Sequence, residues 1–158
     1  MWATHHDSIS MKILIQRVQR AIVIVDDKPI SEIGKGLLIF IGIQPTDTHE
    51  ETTFLAEKVA NLRLFPQDEQ EFDLSVIDAK HELLVVSQFT LYGSCDKGRR
   101  PDFFNAARPE IAEPLYEGFV KLLKDKNIPV KTGKFGAHMV VSLQNDGPAT
   151  FIIEKNHI

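Results

Sequence analysis

Leu83-Leu84-Val85-Val86-Ser87-Gln88-Phe89-Thr90-Leu91-Tyr92-Gly93 is the stretch on which the reading of the fold turns. Its first four residues form a continuous apolar run with β-branched members, the pattern of a strand buried on both faces. Ser87, Gln88 and Thr90 then put three hydrogen-bonding side chains within four residues. Unpaired polar groups at the end of a buried strand cost about 1–3 kcal/mol each, so these side chains need partners. Two readings stay open on these residues alone. One is a strand end that caps its own loop through Ser87 and Thr90; the other is a strand end that carries chemistry.

N-terminal to this stretch, Lys12 to Val18 and Ala21 to Asp26 predict two strands, with Asp26-Asp27-Lys28-Pro29 as the turn after the second. Ile30 to Ile33 predicts a short strand that ends at Gly34-Lys35-Gly36. Leu37 to Ile43 is apolar except for Gly42, which predicts another doubly buried strand with a close backbone approach at the glycine. Thr48-His49-Glu50-Glu51 fits a capping box. Phe54, Leu55, Val59 and Leu62 continue it as an amphipathic helix of about fifteen residues, ended by Pro66. Phe72, Leu74 and Val76 alternate with polar residues, as in a half-exposed strand.

C-terminal to it, Gly93 to Pro101 is a loop carrying Cys95, Lys97, Arg99 and Arg100. A second helix is predicted from about Pro109 to Lys126. Its Ile111, Leu115, Phe119, Leu122 and Leu123 share one face, and Lys121, Lys124 and Lys126 sit in the last turns, where they suit the dipole. Pro114 reads as a first-turn residue or a restart of the helix. Val130 to Phe135, Met139 to Leu143 and Thr150 to Glu154 supply the remaining strands. The fold class is therefore α+β, a single domain whose mixed or antiparallel sheet curls toward a barrel, with two main helices. Strands and helices alternate too seldom for a doubly wound sheet, and no Gly-rich phosphate loop is present.

The chain has 158 residues, 43% hydrophobic and 25% charged, enough for one globular domain with a core of its own. No apolar run approaches the roughly 18 residues of a membrane span. Residues 1–10 lack the basic start and apolar stretch of a signal peptide and read as a disordered extension, native or added, ahead of a domain at 11–158. The single cysteine, Cys95, permits no internal disulfide and fits a reducing, cytoplasmic compartment. Net charge is −4, which argues against wholesale coating of nucleic acid. The charge is uneven, however. Pro45 to Glu82 holds ten acids and three bases, whereas Tyr92 to Phe135 holds nine bases and six acids. Solvated faces and a local basic patch for a phosphate-bearing partner both fit that pattern.

No two of the histidines (His5, His6, His49, His81, His138 and His157) fall at metal-ligand spacing on an ordered element, so no metal is expected. Cys95, in Gly93-Ser94-Cys95-Asp96-Lys97, reads either as an exposed thiol or as a thiolate activated by Lys97 and Arg99. No Gly-x-Ser-x-Gly elbow supports a serine hydrolase.

Asn145-Asp146-Gly147-Pro148-Ala149-Thr150 is by itself a turn between strands, although its Gly-Pro bond can also be cis. Taken together with Ser87-Gln88-Phe89-Thr90, it resembles the D-aminoacyl-tRNA deacylases, formerly called D-tyrosyl-tRNA deacylases. Their two signatures are Ser-Gln-x-Thr and Asn-x-Gly-Pro-x-Thr. The resemblance runs from Met11 to Glu154. It includes Ile15-Gln16-Arg17-Val18, Gly34-Lys35-Gly36-Leu37-Leu38, Arg100-Pro101, Thr132-Gly133-Lys134-Phe135 and Val141-Ser142-Leu143.

The resemblance implies a small, barrel-like α+β domain that forms a homodimer, with active sites near the subunit interface and no cofactor. It implies hydrolysis of the ester joining a D-amino acid, or glycine, to the terminal adenosine of tRNA, with L-aminoacyl esters rejected. Thr90 is then the central catalytic-site residue, with Ser87, Gln88 and Phe89 shaping the pocket. Gly147 and Pro148, expected cis and inserted into the partner's site, form the chiral filter, with Arg17, Asn145 and Thr150 in support. Phe135 and Met139 pack on the terminal adenine or belong to the core. Lys97, Arg99 and Arg100 contact tRNA phosphates.

The filter makes physical sense. An enzyme that accepts any D side chain must read the geometry at Cα, and a small, stiff Gly-Pro pair can block the space of an L side chain. Two other readings use the same residues: a non-catalytic module that binds an RNA end or a protein, and a thiol hydrolase built on Cys95.

Overall fold

Two strands of 17 residues, β1 (Ile9–Val25) and β8 (Val140–Asn156), pair antiparallel along most of their length and form the spine of the molecule. The computed structural model describes residues 9–156. Between the two strands come β2 (Lys28–Ile33), β3 (Gly36–Gly42), α1 (His49–Asn61), β4 (Phe65–Gln67) and β5 (Gln70–Leu74). They are followed by α2 (Val76–Ala79), β6 (Glu82–Ser87), a 3₁₀ turn (Phe89–Tyr92), α3 (Pro109–Lys124) and β7 (Val130–Thr132). The main sheet runs β2-β1-β3-β6-β7, with β8 on β1, and β4 and β5 form a separate hairpin. Pairings β3–β6 and β6–β7 are parallel and the others antiparallel, so the sheet is mixed.

β1 reaches both edges of the fold because it bends. β3 pairs with it from Lys12 to Val18 and β2 from Ala21 to Val25. The β1–β8 register shifts between Gln16 and Val18 and again between Val18 and Arg20. Such bulges bend a strand and increase its twist, and here they curl the sheet nearly into a barrel. Two cores result. Ile13, Ile15, Leu37, Ile39, Ile41, Leu83 and Val85 face α1 and α3, where Leu55, Val59, Phe119 and Leu123 complete the larger core. Leu38, Leu84 and Val86 point the other way and meet Val18, Ala21, Val23 and Ile33 in the smaller one. The expectation of an α+β domain with a mixed sheet curled toward a barrel and two main helices holds.

Several element boundaries differ from expectation. The two strands expected before residue 27 are one, because Gln19 and Arg20 lie at the bulge with exposed side chains rather than in a turn. That strand begins at Ile9, and Ser10 is fully buried. The first strand therefore includes Ile9 and Ser10 of the expected extension, while residues 1–8 lie outside the described residues. The strands expected at Met139–Leu143 and Thr150–Glu154 are likewise the single β8. Between Gln16↔Thr150 and Val18↔Asn145 the residues 146–149 drop out of register, so Pro148 stands where its missing N–H breaks no ladder bond.

Val76 opens α2 rather than ending a strand, because the Ser75 hydroxyl accepts the Asp78 amide at 3.1 Å in a capping box. β7 stops at Thr132, so Gly133, Lys134 and Phe135 belong to the loop that follows it. Pro109 opens α3, and Pro114 lies inside it instead of in its first turn. The first helix has the expected capping box, with Glu51 Oε1 accepting the Thr48 amide at 2.7 Å.

Candidate active site

Strand β6 delivers the polar cluster. Ser87 is its last residue and pairs with Ile41, and the Gln88 amide donates to the Ile41 carbonyl at 2.8 Å. The chain then closes into the 3₁₀ turn, whose first bond runs from the Leu91 amide to the Gln88 carbonyl at 3.2 Å. Turn formation here depends on Gly42. A Cβ at that position would stand 2.9 Å from Leu91 Cβ, 3.2 Å from Tyr92 Cδ2 and 3.3 Å from the Gln88 carbonyl. From the neighbouring strand, Lys12 Nζ donates to the Leu91 carbonyl at 3.3 Å and lies 5.1 Å from the centre of the Tyr92 ring. The turn is thus held from both sides.

Within it, Gln88 Nε2 donates to Thr90 Oγ1. That contact occupies a lone pair on Thr90 and leaves its proton free to point outward as a donor. Thr90 and Phe89 are exposed, whereas Ser87 and Gln88 are half-buried. The amides of Phe89 and Thr90 open the turn, so no carbonyl within it accepts them.

Beside the turn lies a cavity of about 700 Å³. Val86, Ser87, Gln88 and Phe89 form one wall, the start of α3 (Pro109 and Ala112) another, and Phe135 to Met139 a third. Its size is that of a small-molecule site, and its walls are mostly apolar. Phe135 and Met139 therefore face the cavity, with Phe135 5.8 Å from the Tyr116 ring. Gly133 makes room for Met139, whose sulfur lies 2.6 Å from where a Cβ would be. Thr90 stands beyond the cavity wall, on the exposed side of the turn. His138 also lines the cavity and is the one ionisable side chain that does so. Sequence reading missed it as a site residue; its position between Phe135 and Met139, both named, was the available signal.

Burial and the Asp47 and Glu154 carboxylates push the Tyr92 hydroxyl far up, and burial pushes Tyr116 up to about 12. Neither phenol is a base at neutral pH. The Tyr116 hydroxyl instead donates to the Val85 carbonyl at 3.0 Å beneath the cavity wall.

The second motif is built around Arg17, whose side chain is 2% exposed. Its Nη1 donates to the Leu64 carbonyl at 2.8 Å and its Nη2 to Glu71 Oε1 at 2.5 Å. Its Nε lies 3.2 Å from Asp146 Oδ2, an ion pair without hydrogen-bond alignment. Asn145 Nδ2 donates to the Arg17 carbonyl at 3.0 Å and to the Ala149 carbonyl at 3.2 Å. Gln16 Nε2 donates to Thr150 Oγ1 at 3.2 Å. Arg17, Asn145 and Thr150 thus surround the Gly147-Pro148 peptide, which is cis, and both of its residues are exposed.

The two motifs do not meet within the chain. The turn packs on Gly42, which is opposite Lys12, whereas Thr150 and Asn145 are opposite Gln16 and Val18. Four to six residues of strand separate them, about 13–20 Å.

Lys97, Arg99 and Arg100 are exposed on a loop whose ends are tied by paired bonds between Ser94 and Asp102, at 2.8 and 2.9 Å. Cys95 is exposed on the same loop. Among the described residues no group of three or more His, Cys, Asp or Glu is placed to hold a metal ion. Among them, too, no helix is long and apolar enough to cross a membrane.

Residues 14–154 match the family described as D-Tyr-tRNA(Tyr) deacylase. The chain belongs to that family. Its members are hydrolases that act on aminoacyl-tRNA. A D-aminoacyl-tRNA deacylase of Clostridioides difficile (strain 630) is 49% identical over 146 residues, covering 92% of this chain and 98% of the relative. That of Chloroflexus aurantiacus is 53% identical over 145 residues, covering 92% and 91%. Among solved structures, the c-Myc DNA Unwinding Element Binding Protein superposes with a TM-score of 0.85 at 42% identity, covering 91% of this chain and 98% of that one.

Proposed function

We propose that the protein hydrolyses D-aminoacyl-tRNA and glycyl-tRNA at the ester of the terminal adenosine and spares L-aminoacyl-tRNA. It does so as a homodimer in which Gly147-Pro148 of one subunit faces the Gln88–Thr90 turn of the other. One observation carries this reading: two signature motifs of one family lie about 13–20 Å apart in a single chain. A second copy brings them together. The surface offers a place for it, since half-buried Phe40 and Leu14 and exposed Ile152 form one row across β3, β1 and β8. Ile152 is 63% exposed. A row of this kind on a sheet face suits a self-complementary contact.

The terminal adenosine fits the cavity between Phe135, Met139 and Phe89, which brings its aminoacyl ester to the turn. A threonine hydroxyl without a base beside it is a poor nucleophile, and Gln88 already occupies a lone pair of this one. Thr90 therefore acts as a hydrogen-bond donor. Water attacks the ester carbonyl, assisted by the substrate's ribose 2′-hydroxyl, and the Phe89 and Thr90 amides receive the oxyanion. The C–O bond to the ribose breaks and the ribose oxygen takes the proton. One well-placed oxyanion donor is worth about 10²–10³ in rate, which is ample for an already labile ester. Selectivity comes from exclusion. The partner's Gly147-Pro148 fills the space of an L side chain, and glycine passes because it has none. Lys97, Arg99 and Arg100 hold tRNA phosphates.

Sedimentation combined with serial dilution tests the shared site. Activity on D-Tyr-tRNA should fall in step with dissociation of the dimer, and a fully active monomer overturns it. The name of the 42%-identical c-Myc DNA Unwinding Element Binding Protein favours a second reading, a non-catalytic nucleic-acid module using the same cavity. Nucleic-acid binding without ester hydrolysis would favour that reading.

A further inference from the structure

Phe104 is 87% exposed, the highest value among the exposed large apolar side chains of the described residues. Single exposed apolar residues are ordinary on a protein surface. What distinguishes this one is its support and its neighbours. It sits at the tip of a turn closed by the Ala106 amide on the Phe103 carbonyl at 3.1 Å. Just beyond, the Ala107 amide donates to the Ile43 carbonyl at 2.8 Å, and just before it lies the doubly bonded Ser94–Asp102 bridge. The ring is therefore carried by fixed backbone.

Next to it in the chain, the Phe103 ring meets Phe89 edge-on with centroids 5.2 Å apart, and Phe89 lines the cavity assigned to the terminal adenosine. The Phe89–Phe103 pair thus links that cavity to the residue that precedes Phe104 in the chain. On the same loop Lys97, Arg99 and Arg100 have no ion pair among the described residues, and they outnumber the loop's acids, Asp96 and Asp102. Aromatic rings beside unpaired cations are the composition that holds single-stranded nucleic acid, with bases on the rings and phosphates on the cations.

We propose that Phe104 is a stacking platform for an unpaired base of the RNA 3′ end, one that precedes the terminal adenosine, with the Lys97–Arg100 cations on the connecting phosphates. The inference rests on the tRNA reading of the cavity. It concerns affinity for RNA and not the chemistry at Thr90.

The test is binding of uncharged tRNA, whole or trimmed of its last three nucleotides, to the full chain and to Phe104→Ala and Phe104→Trp. Phe104→Ala should weaken binding of whole tRNA about tenfold and leave trimmed tRNA unchanged, while Phe104→Trp restores the parent affinity. Equal binding of whole tRNA by the parent and Phe104→Ala overturns the proposal. So does an equal loss for trimmed tRNA. A shift of Phe104→Ala to a smaller sedimenting species also overturns it, because the ring then belongs to a contact between copies of the chain. Binding does not depend on hydrolysis. A parent protein that cleaves no D-aminoacyl ester yet shows the Phe104 effect refutes the deacylase reading and leaves this one standing.

Discussion

Arg17 Nε stands 3.2 Å from Asp146 Oδ2 across the bulge where β1 and β8 change register. Through this contact a buried guanidinium ties the Asn145–Thr150 motif to Leu64, just before β4, and to Glu71 in β5, which receive its other nitrogens. The partners differ in what they lose if it goes. Asp146 and Glu71 are 33% and 51% exposed and can turn to water, whereas the Leu64 carbonyl is buried. Arg17→Met should therefore cost about 1–3 kcal/mol, the cost of an orphaned acceptor, rather than the larger cost of a buried ion pair. Urea unfolding measures it. The same variant should lose discrimination between D- and L-aminoacyl-tRNA while Thr90 stays intact, and unchanged selectivity would separate Arg17 from the filter.

In the proposed reaction Thr90 donates a hydrogen bond rather than attacking the ester. Thr90→Ala should then lower kcat about 10²-fold or more, and Thr90→Ser, which keeps the hydroxyl, should retain most of the rate. Circular dichroism should show both variants folded, since the residue is exposed. A wild-type rate in folded Thr90→Ala would reduce the residue to a loop cap.

Gly42 lies under the turn without touching substrate. Its missing Cβ leaves 2.9 Å to Leu91 Cβ and 3.3 Å to the Gln88 carbonyl, and the carbonyl cannot yield without moving the turn. Gly42→Ala should cost about 1–3 kcal/mol of stability as overpacking and reduce turnover by displacing Gln88 and Thr90 together. Unfolding measured alongside kinetics distinguishes this from Thr90→Ala, which should leave stability nearly unchanged.

Contact with RNA through Lys97, Arg99 and Arg100 has a salt signature. Each phosphate contact adds about one unit to the slope of log affinity against log salt. Replacing all three by alanine should flatten the slope for tRNA by about three units while leaving kcat unaltered. An unchanged slope would assign these residues to a solvated face.

The family was more legible in the sequence than the strand ends were. Apolar runs such as Leu37–Ile39 and Leu83–Val86 are buried on both faces, and burial of that kind writes itself plainly into composition. β1 and β8 each look like two strands in the sequence because Gln19-Arg20 and Asn145–Ala149 carry turn-like residues. A bulge uses the same residues as a turn, and only the pairing partner tells them apart. Ser75-Val76-Ile77-Asp78 held a capping box that the alternation of Phe72 and Leu74 masked.

The cavity could not be assembled from the sequence. Its walls come from β6, the start of α3 and the loop after β7, so Ala107, Pro109, Ala112 and His138 carry no local mark of sharing it. The separation of the two motifs was equally hidden, because it depends on strand register. Each motif was recognisable, but not the distance that makes a single chain insufficient for the proposed site.

The central claim is hydrolysis with chiral selection, and its most direct measurement is the decay of D-Tyr-tRNA and L-Tyr-tRNA side by side with the purified protein. The account predicts rapid loss of the D ester, loss of Gly-tRNA as well, and an L ester that decays no faster than in buffer. Equal decay of the D and L esters, or a D ester as stable as in buffer, would contradict it.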